Sequence, residues 1–284
     1  MKLKKIASVL LSCAFAGMVF AGCGEIHDAQ NPSPPDLKVG MIKNLNASEN
    51  LYDNIIKQAE ERAAVKITNH NYTFYDSLTL LQMGIESGSI DEVSTYKNVA
   101  NYLIAKNPKF EIAPKHEYLK LSDNFAFAMR ETDTELKNSV NAAIEAMQND
   151  GTLENLTKTY ITDLKADTDP PAVAFETFDG AETLKIGVTG DLPPLDLILA
   201  DGTPAGFNTA LISELGKRLQ KNIEIVQIDS ASRAAALQSG KIDISFWAII
   251  PTDTNLPTDM DKPQGVELSA PYFKDDIVHI DLKK

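Results

Sequence analysis

The chain has 284 residues, 43% of them hydrophobic, which suffices for one large domain or two lobes with separate cores. Its formal net charge is −13 at pH 7 and it contains four Arg. A field of that sign draws in neither nucleic-acid phosphates nor an anionic membrane surface, so both are excluded as electrostatic partners.

The amino terminus, "MKLKKIASVLLSCAFAGMVFAGCGE", sets Lys2, Lys4 and Lys5 before an uncharged apolar stretch from Ile6 to Ala21. This is the pattern of a secretory signal peptide, and the stretch falls short of the ~20 residues of a spanning helix. It ends in Ala21-Gly22-Cys23, which resembles the lipobox of bacterial lipoproteins. That resemblance implies cleavage after residue 22, lipidation of Cys23 and a lipid-anchored, extracytoplasmic protein. Of the two Cys, Cys13 lies inside the peptide, so the mature chain has no internal disulfide and no Cys metal site. Removal of residues 1–22 takes away three Lys and no acid and leaves a net charge of −16. Residues 23–36 are polar and contain Pro, as a flexible tether would.

Beyond the tether, strand and helix signals alternate. "LKVGMI" at 37–42 predicts a buried strand. A helix follows, with Leu51, Ile55, Ile56 and Ala59 at helical spacing and Ser48 as its N-cap. A strand near "VKITNHNYTFYD", a helix over 77–86 and a strand over 90–95 come next. At 184 the pattern restarts: "LKIGVT" as strand, "FNTALISELGKRLQ" as helix, "IEIVQI" as strand, "SRAAALQSG" as helix, "KIDISFWAII" as strand. Residues 162–183, rich in Asp, Thr, Pro and Ala, lack periodicity and form a connector. One phrase occurs in both halves, "LQMGIESGSIDEVSTY" at 81–96 and "ALQSGKIDISFW" at 236–247. Gly88 and Gly240 are expected to end a helix at positive φ, with an Ile at the start of a central strand.

The segment "ETLKIGVTGDLPPLDLILADGTPAGFN…LQSGKIDISFWAIIPTD…ELSAPYFKDDIVHIDLK" resembles the first lobe of the bacterial extracellular solute-binding proteins of family 3, which deliver amino acids to ABC importers. The earlier part, through "NDGTLENLTKTYI", resembles the second lobe and closing helices of that family. The resemblance implies an α/β, two-lobed, type II periplasmic-binding-protein-like fold, each lobe a mixed sheet flanked by helices. The order is reversed: residues 37–127 would form the family's second lobe, 128–161 its closing helices and 184–284 its first lobe. A circular permutation explains this, with 162–183 as the splice, and a truncated tandem of two modules is the competing reading. With the new ends in the hinge, one covalent crossover is expected near Phe125 to Arg130 and the other is expected to be held by strand pairing alone.

The resemblance also implies a cleft site. The family's carboxylate-binding Arg corresponds to Asn255, four residues after Pro251 in "PTDTN", with Thr252 beside it. The family's ammonium-binding Asp corresponds to Tyr96. Thr189, Asp191 and Leu192 occupy the loop after the first strand, Trp247 the central strand, and Asn46 and Ser48 the helix entry of the other lobe. A neutral amide cannot make the bidentate pair that a carboxylate takes from Arg. Trp247 on an apolar strand suits a core as well as a ligand platform.

His27, His70, His116 and His279 are widely separated, and no metal site, cofactor motif or catalytic acid–base pair is present in the sequence. The expectation is a monomeric substrate-binding lipoprotein of an ABC importer, not an enzyme, that takes a small polar or amino-acid-like solute by hinge closure. The alternative is a sensor or partner-binding lipoprotein that has lost amino-acid binding.

Overall fold

The computed structural model describes residues 36–46, 48–63, 70–113, 121–253 and 256–283. The segment read as a signal peptide, with Cys23, the residues read as a tether up to residue 35, and Asn255, His27 and His116 lie outside them.

The α/β alternation is realised. The leading lobe is built from β1 (Leu37–Ile42), α1 (Glu49–Ala63), β2 (His70–Tyr75), α2 (Leu78–Glu86), β3 (Glu92–Tyr96), α3 (Lys97–Lys106) and β4 (Phe110–Ile112). Next come β5 (Ser122–Arg130), α4 (Thr134–Asn149) and α5 (Thr152–Thr157), the last extended by a π-turn over Lys158–Thr162. The trailing lobe contains β6 (Thr183–Val188), a small sheet of β7 (Asp191–Leu192), β8 (Asp196–Ile198) and β9 (Pro204–Ala205), then α6 (Phe207–Leu219), β10 (Asn222–Gln227), α7 (Arg233–Gln238), β11 (Ile244–Pro251), β12 (Val266–Leu268) and β13 (Phe273–Leu282).

The main sheet runs β10-β6-β11-β5-β13-β3-β1-β2, with β12 beside β5 and β4 beside β13. In each lobe the first strand lies between the second and third in parallel, β2-β1-β3 and β10-β6-β11. The fourth place in each is taken antiparallel, by β13 against β3 and by β5 against β11. The strands between the helix layers are apolar on both faces, and Phe125, Phe127, Ile186, Phe246 and Met129 are almost wholly buried.

The repeated phrase is a packing junction used twice. Gly88 and Gly240 adopt φ of +74° and +71°, as the helix-ending role requires. The Ile that follows lies over a glycine of the first strand: a Cβ on Gly40 would stand 2.3 Å from Ile90 Cδ1, and one on Gly187 2.5 Å from Ile242 Cδ1. The Asp that follows the Ile makes a two-bond clamp on the Lys of "LK". Asp91 N donates to Lys38 O at 2.8 Å while Asp91 Oδ2 accepts from Lys38 N at 2.9 Å. Asp243 repeats this with Lys185 at 2.7 and 2.9 Å. Asp243 also takes Arg130 Nη2 at 2.8 Å, which ties β5 to the junction.

The hinge differs from the expectation. β13 pairs with β5 through Phe273–Asp276 and then with β3 through residues 277–280, so this strand itself carries the chain from one lobe into the other. The second crossover runs from β4, which pairs with the end of β13, to Ser122 at the start of β5. Both crossovers are therefore covalent, and residues 125–130 lie inside the trailing sheet between β11 and β12. The expectation failed because the antiparallel fourth strand of each lobe must come from the other half of the chain.

The connector lacks regular structure apart from one bridge, Ala172 to Ala205, yet it is tied to both sides. Asn222 exchanges hydrogen bonds with Phe178, Ala174 O accepts from Ser213 Oγ, and Asp169 accepts from Tyr102 and Lys106 of α3.

Because Ile90 and Ile242 fill matched slots, truncation of either to Ala is expected to cost about 2–5 kcal/mol in urea unfolding. A loss below about 1 kcal/mol at either position would mean that the slot is loosely packed.

Candidate functional site

A cavity of about 710 Å³ opens between the lobes. It lies at the carboxyl ends of the central strands, where Asn44 follows β1, Tyr96 ends β3, and Ile249 and Pro251 end β11. Crevices at strand carboxyl ends are where open α/β sheets take ligands, because loops and helix starts converge there. The walls are largely apolar and aromatic, with Tyr52, Tyr72, Leu192 and Trp247 among them.

Trp247 is 2% exposed and takes φ of +37°, at a point where the β11–β5 register shifts between Ser245 and Ala248. For a bulky residue this backbone costs of order 1–3 kcal/mol and survives only where its neighbours hold it. Arg233 does so. Its guanidinium lies 4.4 Å from the Trp247 ring centroid. Its nitrogens donate to Phe246 O at 2.9 Å, Trp247 O at 3.4 Å, Ser230 O at 3.2 Å and Lys43 O, across the cleft, at 3.0 Å. Arg233 is 1% exposed, and burial pulls its pKa down while the charge of Asp261 holds it up.

Asp261 is the matching buried anion. It accepts Asn46 N at 2.8 Å from the leading lobe and Ile249 N at 3.0 Å from the trailing lobe. Burial pushes its pKa up to about 6, with the charge of Arg233 the chief opposing influence. A second buried carboxylate, Asp123 at the start of β5, accepts the Tyr96 hydroxyl on Oδ2 at 2.9 Å. Burial raises Asp123 to about 6, and burial together with the Asp123 charge raises Tyr96 well above the usual phenol range.

The positions singled out from the sequence divide into groups. Tyr96, Leu192 and Trp247 come together on the cavity wall. Asn46 turns to the opposite lobe, where its Nδ2 also donates to Met260 O at 3.0 Å. Ser48 caps α1, its Oγ accepting from Leu51 N at 3.3 Å. Thr252 directs its hydroxyl to Ser122 of β5. Thr189 and Asp191 line a separate pocket of about 520 Å³. There Asp191 Oδ2 accepts Leu78 N at 2.7 Å, so the trailing lobe supplies a carboxylate to the amino end of α2. Asn255 lies outside the described residues.

Asp123, Arg233 and Tyr52 were not singled out from the sequence, and the acid pairs Asp259/Asp261 and Asp275/Asp276, which read from the sequence as solvated loop or hinge charges, each place one member, Asp261 at 2% and Asp275 at 5% exposure, inside the protein. The available signals were an acid that opens an otherwise apolar strand, "SDNFAFAM", and one of only four Arg within an Ala-rich helix. Among the described residues no group of three or more His, Cys, Asp or Glu side chains could hold a metal ion, and no helix is long and apolar enough to cross a membrane.

Two outcomes follow from this geometry. Arg233→Ala is expected to cost about 3–5 kcal/mol in urea unfolding, because it leaves the carbonyls of Ser230, Phe246, Trp247 and Lys43 without their donor and removes the buried positive charge that faces Asp261. Adding Asp261→Asn should recover part of that loss, whereas strict additivity would uncouple the pair. For Asp123, a folded pKa raised to about 6 means that the folded state holds the proton more tightly than the unfolded chain. Stability from this group is thus greatest near pH 4 and is lost as pH rises through about 6. Asp123→Asn should gain on the parent by about 1–3 kcal/mol between pH 4.5 and 7.5.

Comparison with known proteins places these features in context. Residues 184–278 match the family described as bacterial extracellular solute-binding proteins, family 3. A probable histidine-binding protein of Campylobacter jejuni is 32% identical over 103 residues, which is 36% of this chain and 36% of the relative. The chain thus spans about a third of the length of that relative in the match. Among solved structures, a nutrient-binding protein from Burkholderia cenocepacia bound to methionine is 12% identical and covers 87% of this chain and 84% of its own, with a TM-score of 0.40. A pheromone cOB1 precursor/lipoprotein of the YaeC family from Enterococcus faecalis is 13% identical and covers 88% and 86%, with a TM-score of 0.42. Over residues 184–278, from the first strand of the trailing lobe into the hinge strand, this chain carries the sequence pattern of the family 3 bacterial extracellular solute-binding proteins.

Proposed function

We propose that the protein is a substrate-binding lipoprotein of a bacterial ABC importer that captures a small solute between its lobes by hinge closure. The observation that carries this reading is the 710 Å³ cavity, whose walls come from both lobes at strand carboxyl ends. Strand β13, which pairs with β5 in one lobe and with β3 in the other, passes beside it and supports a hinge of the type that closes around ligands. Lipidation at Cys23, an extracytoplasmic location, a monomeric state and a membrane permease as partner belong to the same proposal.

The circular permutation is part of it as well. The start of β1 and the end of β13 lie at the same end of the leading sheet, on either side of the start of β3, a geometry that supports a permuted order of the two lobes. Of the sequence-derived contacts, Tyr96, Leu192 and Trp247 are proposed to touch ligand, while Asn46 and Asp191 join the lobes to each other.

A second reading, a sensor or partner-binding lipoprotein, is favoured by one observation. The lobes are already held together by the chain's own groups, through Asp261 to Asn46, Asp191 to Leu78 and Arg233 to Lys43.

A thermal-shift panel of amino acids, polyamines, small peptides, sugars and aromatic or quaternary amines separates the two. A solute at 100 times its Kd adds about 2.7 kcal/mol, a visible rise in Tm. At least one class is expected to stabilise the protein. No shift across the panel would overturn the solute-binding reading in favour of the second.

A further inference from the structure

Resting on the solute-binding reading, we infer that the interlobe cavity is a site for an organic ammonium ion carrying an aromatic or apolar body and no carboxylate. The inference starts from the charges on the wall. Lys97, Lys274 and Asp276 are exposed side chains at the margins, and Asp253, His70 and His279 are half-buried. Asp123 is the one buried charged side chain among the described residues of the lining, at 5% exposure. One of its oxygens takes the Tyr96 hydroxyl, and among the described residues no hydrogen bond reaches the other. A carboxylate with a free oxygen in an apolar enclosure is costly without a cation, and a ligand ammonium offsets that cost.

The aromatic lining acts in the same direction. Tyr52, Tyr72, Tyr96 and Trp247 line the cavity, Trp247 with Arg233 over its ring, and aromatic rings attract cations, more strongly when the cation is desolvated. Tyr96, whose hydroxyl donates to Asp123, stands edge-on to Trp247 with ring centroids 6.3 Å apart. A cation held at Asp123 therefore has aromatic surface next to it.

The absence of a carboxylate on the ligand follows from Arg233. Its donors are already committed to the carbonyls of Ser230, Phe246, Trp247 and Lys43, and its charge is offset by Asp261. It lies against the Trp247 ring and is not part of the cavity lining. No buried cation among the described lining residues remains to receive a ligand carboxylate, so a zwitterion would bury its anionic end unpaired.

Trp247 is the single tryptophan of the chain, so its emission reports directly on the cavity. The probes are phenethylamine, phenylalanine, which adds a carboxylate to that skeleton, and 3-phenylpropionate, which replaces the amine with one. Each is titrated into the purified protein with excitation of Trp247, alongside thermal shifts with the broader panel above. Phenethylamine should give a saturable change. Phenylalanine should bind at least about tenfold more weakly, and 3-phenylpropionate more weakly still. Asp123→Asn should weaken phenethylamine at least about tenfold while its urea unfolding remains cooperative. Asp123→Glu, which keeps the charge, should restore part of the loss.

Phenylalanine binding as tightly as phenethylamine would overturn the inference and leave the solute-binding reading standing. So would unchanged phenethylamine affinity in Asp123→Asn, or thermal shifts with other solutes while phenethylamine is silent. Silence of every probe and every panel solute would overturn both.

Discussion

Much of the structure depends on one buried cation. Arg233 is removed from water by the packing of α7, and a guanidinium in that position survives only with its donors satisfied and its charge offset. The acceptors come from both lobes: Lys43 at the end of β1 and Phe246 and Trp247 on β11. Asp261, which offsets the charge, accepts backbone N–H groups from Asn46 and Ile249 and so reaches both lobes too. A buried cation and a buried anion of the protein itself thus each bond to both lobes, and the strained Trp247 backbone is held by the same guanidinium.

The same arrangement sets which charges face the cavity. A cation committed to carbonyls and to Asp261 is not free to meet a ligand anion. The buried negative charge of Asp123 is only partly satisfied, by a single phenol hydroxyl. That carboxylate opens β5 and meets the leading lobe through the hydroxyl of Tyr96 at the end of β3.

The lobes show how one local solution can serve twice. A helix ended by a positive-φ glycine, an Ile set over a strand glycine and an Asp clamped to a Lys backbone form one junction in both halves. Each junction fixes the register of a first strand against the third, and each lobe then lacks a fourth strand. β13 and β5 supply it by exchange, which is why the hinge consists of two covalent crossovers flanked by continuous pairing.

The sequence by itself determined the leading elements of each half and their order, β1 to β3 in one and β6, α6, β10, α7 and β11 in the other. Apolar spacing at period 3.6 marked α1 and α6, and the apolar runs "LKVGMI" and "LKIGVT" marked the two first strands, because these signals depend on neighbours a few residues away. The role of the repeated phrase was legible for the same reason, as was the helix cap at Ser48. The tertiary structure alone decided which charges meet. Asn46 and Asp261 are 215 residues apart, and Lys43 and Arg233 are 190 apart. No local pattern encodes such pairs, since they exist only after two lobes built from different parts of the chain have closed. The tertiary structure likewise assigned Thr252 to its neighbouring strand and Asp191 to the start of α2. A hydroxyl or carboxylate near a cleft bonds to the nearest unsatisfied backbone group, and where that group lies is a property of the fold.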